Sequence, residues 1–425
     1  MSRHSRLSSI ALVAVTAFLA AACGNATPSA SPSATPPPSS STAPSATPVG
    51  SADVDAIYAE INAQVRAIRG LDEKKPIAPT ILSPEELATV IRTTFDQDYP
   101  PAQVAADEQL YKGLGLISMD ADLAAVFVDL LESQVAGLYD PVGEKLYVLS
   151  KEGGVGPVEK VFYSHEYDHA LQDQHFDLAA MTEGLQDQTD RLLARQAIVE
   201  GDAYVLMTYW LQQNLTPAEI GEVITASSDP ELQAALNRIP AIVQAQILFA
   251  ATEGTTFALQ TQAAGGWPGI DAVLGDPPAS TEQVKHPEKY ASREAPIEVD
   301  LPDDLASRMG TGWSLVQENT MGEHQTSIWL GYPTVAAATD ASAGWGGDRI
   351  AVLGGPSEAW AIAWQTVWDT TADAAEFEVT AEAAVAKSGG PGSILPGEGG
   401  TTRWVVIGSD DATLAKVANV LGLAG

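Results

Sequence analysis

The sequence predicts an α+β fold: a mainly helical body carrying one short β-hairpin, followed by a small C-terminal α+β layer. Three observations point there. Apolar residues recur at helical spacing in successive segments after residue 53, as in Ile57, Ile61, Val65 and Ile68. Asp140-Pro141-Val142-Gly143 is turn chemistry between two short β-prone runs within 136–150. Beyond residue 301, short strand-like runs interleave with two helical stretches.

The chain has 425 residues, room for one large or two moderate domains after a leader. Hydrophobic residues make up 45%, enough for a sizeable core. With 55 acidic against 22 basic residues, the net charge is −33. Such a surface repels phosphate backbones and anionic headgroups, so nucleic acid is excluded as a partner.

Taken in order, Arg3 and Arg6 precede an apolar run over 10–22 that is too short to span a bilayer comfortably. Ala20-Ala21-Ala22 leads into Cys23, the only cysteine, which therefore has no internal disulfide partner. The stretch from Leu19 to Cys23, LAAAC, resembles a bacterial lipobox, although Leu19 lies one place earlier than the usual leucine. The resemblance implies a signal peptide over 1–22, a lipid on Cys23 and attachment to the outer face of a cell membrane. Residues 23–52 then read as a disordered Ser/Pro/Ala-rich linker without a charge.

From residue 53 to about 300 the composition is that of a globular body. Helices are expected over 54–68, over 84–94 behind a Ser83 cap with Pro84 in first position, over 101–114 and over 121–133. The hairpin follows, with 145–149 as its second strand. That strand, just ahead of the next helix, is a candidate edge for an extended ligand.

The helix over 161–178 holds His165-Glu166-Tyr167-Asp168-His169. Positions i and i+4 lie on one helical face, so His165 and His169 can aim two imidazole nitrogens at one metal ion. Glu166 faces the same cleft, where a carboxylate can take a proton from water. A catalytic zinc needs a third protein ligand. Glu200, 31 residues after His169 in an apolar-periodic helical segment, is the favoured candidate. His175 is the rival, ten residues after His165, but that arrangement needs a glycine at 172 to turn the chain, and Gln172 stands there. Asp202 and Asp173 are candidates to orient the ligating histidines.

The run HEYDHALQDQHFDL, followed by Ile198-Val199-Glu200-Gly201-Asp202-Ala203, resembles the zincin metallopeptidases of the gluzincin type. It is also similar to a group of bacterial lipoproteins and secreted proteins with an H-E-x-x-H-A-L-Q-D-Q core. The likeness covers roughly 132–290 and departs from the glutamate-x-x-x-aspartate run common in gluzincins. It implies one zinc ion on His165, His169 and Glu200, Glu166 as general base, and a peptide or protein substrate.

Further apolar helices are expected over 204–211 and 239–259. The polar stretch 277–290 reads as a surface loop with a short helix, from which His286 or Tyr290 could stabilise a transition state, His286 being the choice. In the C-terminal layer, 301–425, the expected elements are a turn at 344–349, strands over 350–353, 360–368 and 403–407, and helices over 371–386 and 411–421. Residues 389–400 read as a flexible loop, and Trp345, Trp360, Trp364 and Trp368 as core. No repeat, P-loop or dinucleotide fingerprint is present. The sum is a lipid-anchored, extracytoplasmic zinc metallopeptidase. Two alternatives are a tethered binding or assembly protein with a structural zinc, and a zinc hydrolase acting on something other than peptides.

Overall fold

Proline and capping residues set where the helices begin. In the computed structural model, which describes residues 51–133, 137–149, 154–230, 234 and 237–423, helices repeatedly start on proline. Among them are α2 (Pro84–Asp98), α3 (Pro101–Leu114), α5 (Pro157–Phe176) and α8 (Pro217–Ser227). The fixed proline φ suits a first helical turn, where its missing N–H has no partner to lose. Ser83 and Glu86 bond each other's backbone N–H at 3.3 and 2.9 Å, a reciprocal cap on α2. The expected signal peptide over 1–22, Cys23 and the expected linker as far as residue 50 lie outside the described residues, while residues 51 and 52, expected as linker, open a helix.

The remaining helices of the body are α1 (Ser51–Arg69), α4 (Leu123–Ser133), α6 (Leu178–Thr182) and α7 (Thr189–Asn214). Beyond α8 come α9 (Ala241–Phe249) and α10 (Thr255–Gly275). The segment holding Glu200 and the expected helix over 204–211 are one helix, α7, of 26 residues. The expected helix over 239–259 instead divides into α9, a π-helical turn at Ala250–Gly254 and α10. That wide turn packs on α7 backbone to backbone. A Cβ on Gly201 would stand 2.2 Å from the Gly254 carbonyl oxygen, and one on Gly254 would stand 2.3 Å from the Ala197 carbonyl oxygen. Two glycines thus let the chains touch one residue from Glu200.

A three-stranded sheet backs α5, in the order β1 (Pro79–Leu82), β3 (Lys145–Leu149), β2 (Gly137–Asp140). β1 pairs parallel with β3, and β2 antiparallel. The expected edge on 145–149 is therefore corrected: β3 is central, and β2 is the edge on the side of α5.

The stretch 277–290 contains the expected short helix, α11 (Thr281–Lys285), and begins α12 (Pro287–Ser292), but its surface placement is corrected, since residues 280–284 are buried. Polar side chains tolerate burial there because they satisfy one another: Thr281 donates to Asp190, and Gln283 Nε2 to the Glu294 carbonyl at 2.6 Å.

The α+β class holds through the C-terminal region. Its antiparallel sheet runs β4 (Ser314–Asn319), β5 (Trp345–Gly354), β6 (Trp360–Trp368), β8 (Thr402–Gly408), β7 (Gly392–Pro396). With it pack α13 (Gly322–Trp329), α14 (Thr371–Val385) and α15 (Asp411–Val420). Two expectations change here. The stretch 344–349 is strand from Trp345 onward, with a bulge at Gly346 and Gly347, and the expected loop over 389–400 contains β7. Trp345, Trp364 and Trp368 are fully buried, while Trp360 is half-buried against the same cluster. The Asp348 carboxylate accepts both the Trp345 and Trp364 indole N–H, at 2.9 and 2.8 Å, and two backbone N–H groups of α13's start. One apolar cluster joins this sheet to α2, α3 and α4. Among the described residues no helix is long and apolar enough to cross a membrane.

The glycine contact yields a paired test. Gly201→Ala should destabilise by about 1–3 kcal/mol through overpacking. Gly221→Ala, at an exposed helical site with nothing within 4 Å of the new Cβ, should stabilise by up to about 1 kcal/mol. Urea midpoints at equal m-value read both.

Candidate metal centre

The centre forms where α5 lies against α7. His165 and His169 are one turn apart on α5, and their Nε2 atoms stand 3.0 Å from each other. Glu200 of α7 brings its carboxylate oxygens to 3.3 Å from His165 Nε2 and 3.5 Å from His169 Nε2. The three residues are 3%, 3% and 1% exposed, so this is a desolvated cluster and not a surface coincidence. Each offers one ligand atom within 4.8 Å of the others, and the group could hold a metal ion. Glu166 stands outside that set. Its Oε2 accepts the backbone N–H of Tyr139, on the outer edge of β2, at 2.8 Å.

His175 takes no part; its Nε2 contacts the Asp72 carbonyl at 2.8 Å. A second acidic group, Glu282, Glu294 and Asp369, is already filled by the Lys289 ammonium, at 2.6, 2.9 and 2.7 Å.

The groups behind the ligands differ from expectation. Neither Asp202 nor Asp173 touches a ligating histidine. Asp173 accepts the Tyr139 hydroxyl at 2.7 Å and the Leu178 N–H at 2.9 Å. The partner of His169 Nδ1 is Gln172 Oε1, at 2.9 Å. The Gln172 amide nitrogen faces three acceptors: Asp202 Oδ2 at 2.8 Å, the Val199 carbonyl at 3.0 Å and Asp168 Oδ2 at 3.3 Å. These acceptors fix which end of the amide is oxygen. His169 Nδ1 therefore carries a proton, and Nε2 is the atom that faces the centre, free to ligate once its own proton is released. Asp202 acts one step removed, gripping Gln172 on one side and Arg69 on the other. Gln172 was legible in principle, three residues from His169 on the same face; Arg69, 133 residues from Asp202, was not.

Tyr204, expected only as core, lies one turn beyond Glu200. Its ring centroid is 4.9 Å from that of His165, and its hydroxyl is buried without a hydrogen-bond partner. Burial, then Glu200 and Glu166, hold that hydroxyl protonated far above the usual range. His286 and Tyr290 are elsewhere. His286 pairs with Glu323 at 3.1 Å, and the Tyr290 hydroxyl donates to the Asp276 carbonyl at 2.8 Å. The His286 ring is thus held by the buried Glu323 carboxylate.

Electrostatics poise the site. Burial opposes charge on His169, but Glu200, Glu166 and Gln172 outweigh it and lift the imidazole to about 10. Burial likewise opposes charge on Glu200, yet the two histidines hold it down at about 2. For Glu166 burial wins over the histidines, and its carboxyl binds a proton more readily than usual.

A family model described as a domain of unknown function (DUF8575) matches residues 311–419, within the C-terminal region and away from this centre. No curated protein matches the chain. No solved structure matches it either.

Glu200→Gln should lose bound metal and His175→Ala should keep it, by elemental analysis of the dialysed protein. Gln172→Ala should weaken metal binding about 10–100-fold in competition with a chromophoric chelator. Because His169 is protonated below about 10 in the metal-free site, metal uptake at neutral pH should release that proton. Affinity should then climb with pH until about 10, and calorimetry in buffers of different ionisation heat counts the protons.

Proposed function

We propose that this chain is a zinc-dependent metallopeptidase, anchored through Cys23 on the extracytoplasmic face of a cell membrane, hydrolysing peptide or protein substrates. One observation carries the reading: two imidazoles and a carboxylate converge, while a second carboxylate, Glu166, stands beside them held by a sheet edge.

The donor set suits zinc. Ligand bonds of about 2.0–2.2 Å around a tetrahedral ion put neighbouring ligand atoms roughly 3.3–3.5 Å apart. Here the separations are 3.0, 3.3 and 3.5 Å. The ligand set from described residues numbers three, which suits a catalytic site with one position left for water. When bound, zinc would supply Lewis acidity toward a carbonyl and lower the pKa of water toward neutrality.

The chain's own residues account for the rest. Glu166, with its raised proton affinity, takes the proton of the attacking water and later passes it to the departing amine. The Tyr139 N–H orients it for both steps. β2 has no strand on its outer side among the described residues, so an extended peptide can pair there, beside Glu166. The Tyr204 hydroxyl, protonated and unpartnered, is the candidate donor to the oxyanion.

The deep burial of the ligands also favours a second reading, a tethered binding or assembly protein with a structural zinc. A broad peptide-library digest by the full chain separates the two. Glu166→Gln should retain one zinc per chain and cleave about 10²–10⁴-fold more slowly. Tyr204→Phe should lose about 10²–10³ in kcat. Cleavage by Glu166→Gln at the wild-type rate ends the mechanism; zinc-loaded wild type that cleaves nothing supports the structural site.

A further inference from the structure

A cavity of about 300 Å³ lies between α2–α4 on one side and α7 with α9 on the other. Its apolar walls are Phe95, Tyr99, Phe127, Leu192, Leu193 and Ile247. We infer that this cavity seats one large, uncharged, apolar side chain of the peptide substrate. The inference rests on the peptidase reading and deepens it.

Position is the first argument. Thr189, Leu193 and Gln196 line the cavity from α7, at eleven, seven and four residues before Glu200. At about 100° per residue, all three project within roughly 40° of the Glu200 direction. The cavity and the metal ligand thus share one face of α7, with Gln196 a single turn, about 6 Å, from Glu200. The opposite wall includes Phe127 of α4, the helix that immediately precedes β2, whose Tyr139 N–H holds Glu166. α7 therefore borders both the metal ligands and the cavity, and α4 leads in sequence toward the strand that holds Glu166.

Chemistry is the second argument. Among the described lining residues the charged side chains are Asp98 and Asp107. Asp107 is engaged internally, accepting the Tyr99 hydroxyl and, at 3.2 Å, Gln103 Nε2. Gln103 also donates to Gln317, and Gln246 to the Tyr111 hydroxyl, both at 3.0 Å. The polar groups on the floor thus satisfy one another. A carboxylate entering between these apolar walls would lose its water and find no cation among the described lining residues. An aromatic or large aliphatic side chain would bury its surface at no such cost. The volume sits at the small end of ligand sites, about 300–1,000 Å³, fitting one side chain and not a folded segment.

The test uses zinc-loaded full chain and peptides identical except for Phe, Ala or Asp at each position flanking the cleaved bond. At one position Phe should exceed Asp by about 100-fold in kcat/KM. Ala102→Trp, which enters the cavity from the exposed start of α3, should cut the Phe-to-Ala ratio at that position about tenfold with one zinc per chain retained. Leu192→Arg should raise the Asp peptide relative to Phe. A wild type indifferent to Phe and Asp at every position overturns the proposal, as does an unchanged ratio in Ala102→Trp. Should no peptide be cleaved, the peptidase reading fails separately, and calorimetric binding of the same peptides to zinc-loaded Glu166→Gln decides the cavity. Phe-dependent binding that Ala102→Trp abolishes supports it; equal binding of the Phe and Asp peptides overturns it.

Discussion

A single buried guanidinium holds the back of the centre together. Arg69, at the end of α1 and fully buried, reaches Asp202 of α7 at 3.0 Å and Asp271 of α10 at 2.6 Å, with Asp168 of α5 at 4.0 Å. It also lies 5.0 Å over the Trp267 ring. Four helices therefore meet on one side chain. Removing one partner from such a buried ionic group typically costs about 3–5 kcal/mol, because the other charges are left desolvated and unpaired. The same contacts fix Asp202, Asp202 helps fix Gln172, and Gln172 fixes the ring of His169. The geometry at the front is thus inherited from a clamp at the rear.

Charge balance gives that clamp a second meaning. Glu166 and Glu200 lie on the front, and Asp168, Asp202 and Asp271 behind, with Arg69 the cation that pairs the rear set. Burial pushes the Asp168 and Asp202 carboxyls upward despite Arg69. On the front, the proton that His169 carries offsets the Glu200 carboxylate, as a metal cation would. A buried site so rich in carboxylate favours a multivalent positive ion, as expected where protein oxygens and nitrogens converge without competing ammonium groups.

Legibility followed the range of the forces involved. The face carrying His165 and His169, the caps on α2 and the strand over 360–368 depend on residues within a few positions, and each could be read directly. Glu200 was reachable because a helix and a return connection fit its distance from His169. Short strands such as β1, β4 and β7 carry little pattern of their own and exist because a neighbouring strand pairs with them. The buried polar run at 280–284 looked like surface because its partners, Asp190 and the His324 N–H among them, are remote in sequence. Tyr204 looked like core for the same reason: its ring is buried, and its contact with His165 comes from a partner 39 residues away on another helix. Arg69 had no local signal at all.

The apolar cluster that runs from α2 and α3 into the C-terminal sheet sets a schedule for synthesis. Leu110 and Leu114 pack in one cluster with Ile362, Trp364 and Val405, which the ribosome adds most of a chain later. Gly113 is a glycine where Ile362 and Trp360 press against the helix. Until β8 emerges, those amino-terminal helices keep greasy faces with nothing to cover them, a state that invites chaperones and aggregation. Because α2 and α3 also wall the cavity, that wall takes its final shape only after the strands of the C-terminal sheet have been made. A nascent fragment that already contains both histidines would therefore still lack a settled pocket beside them.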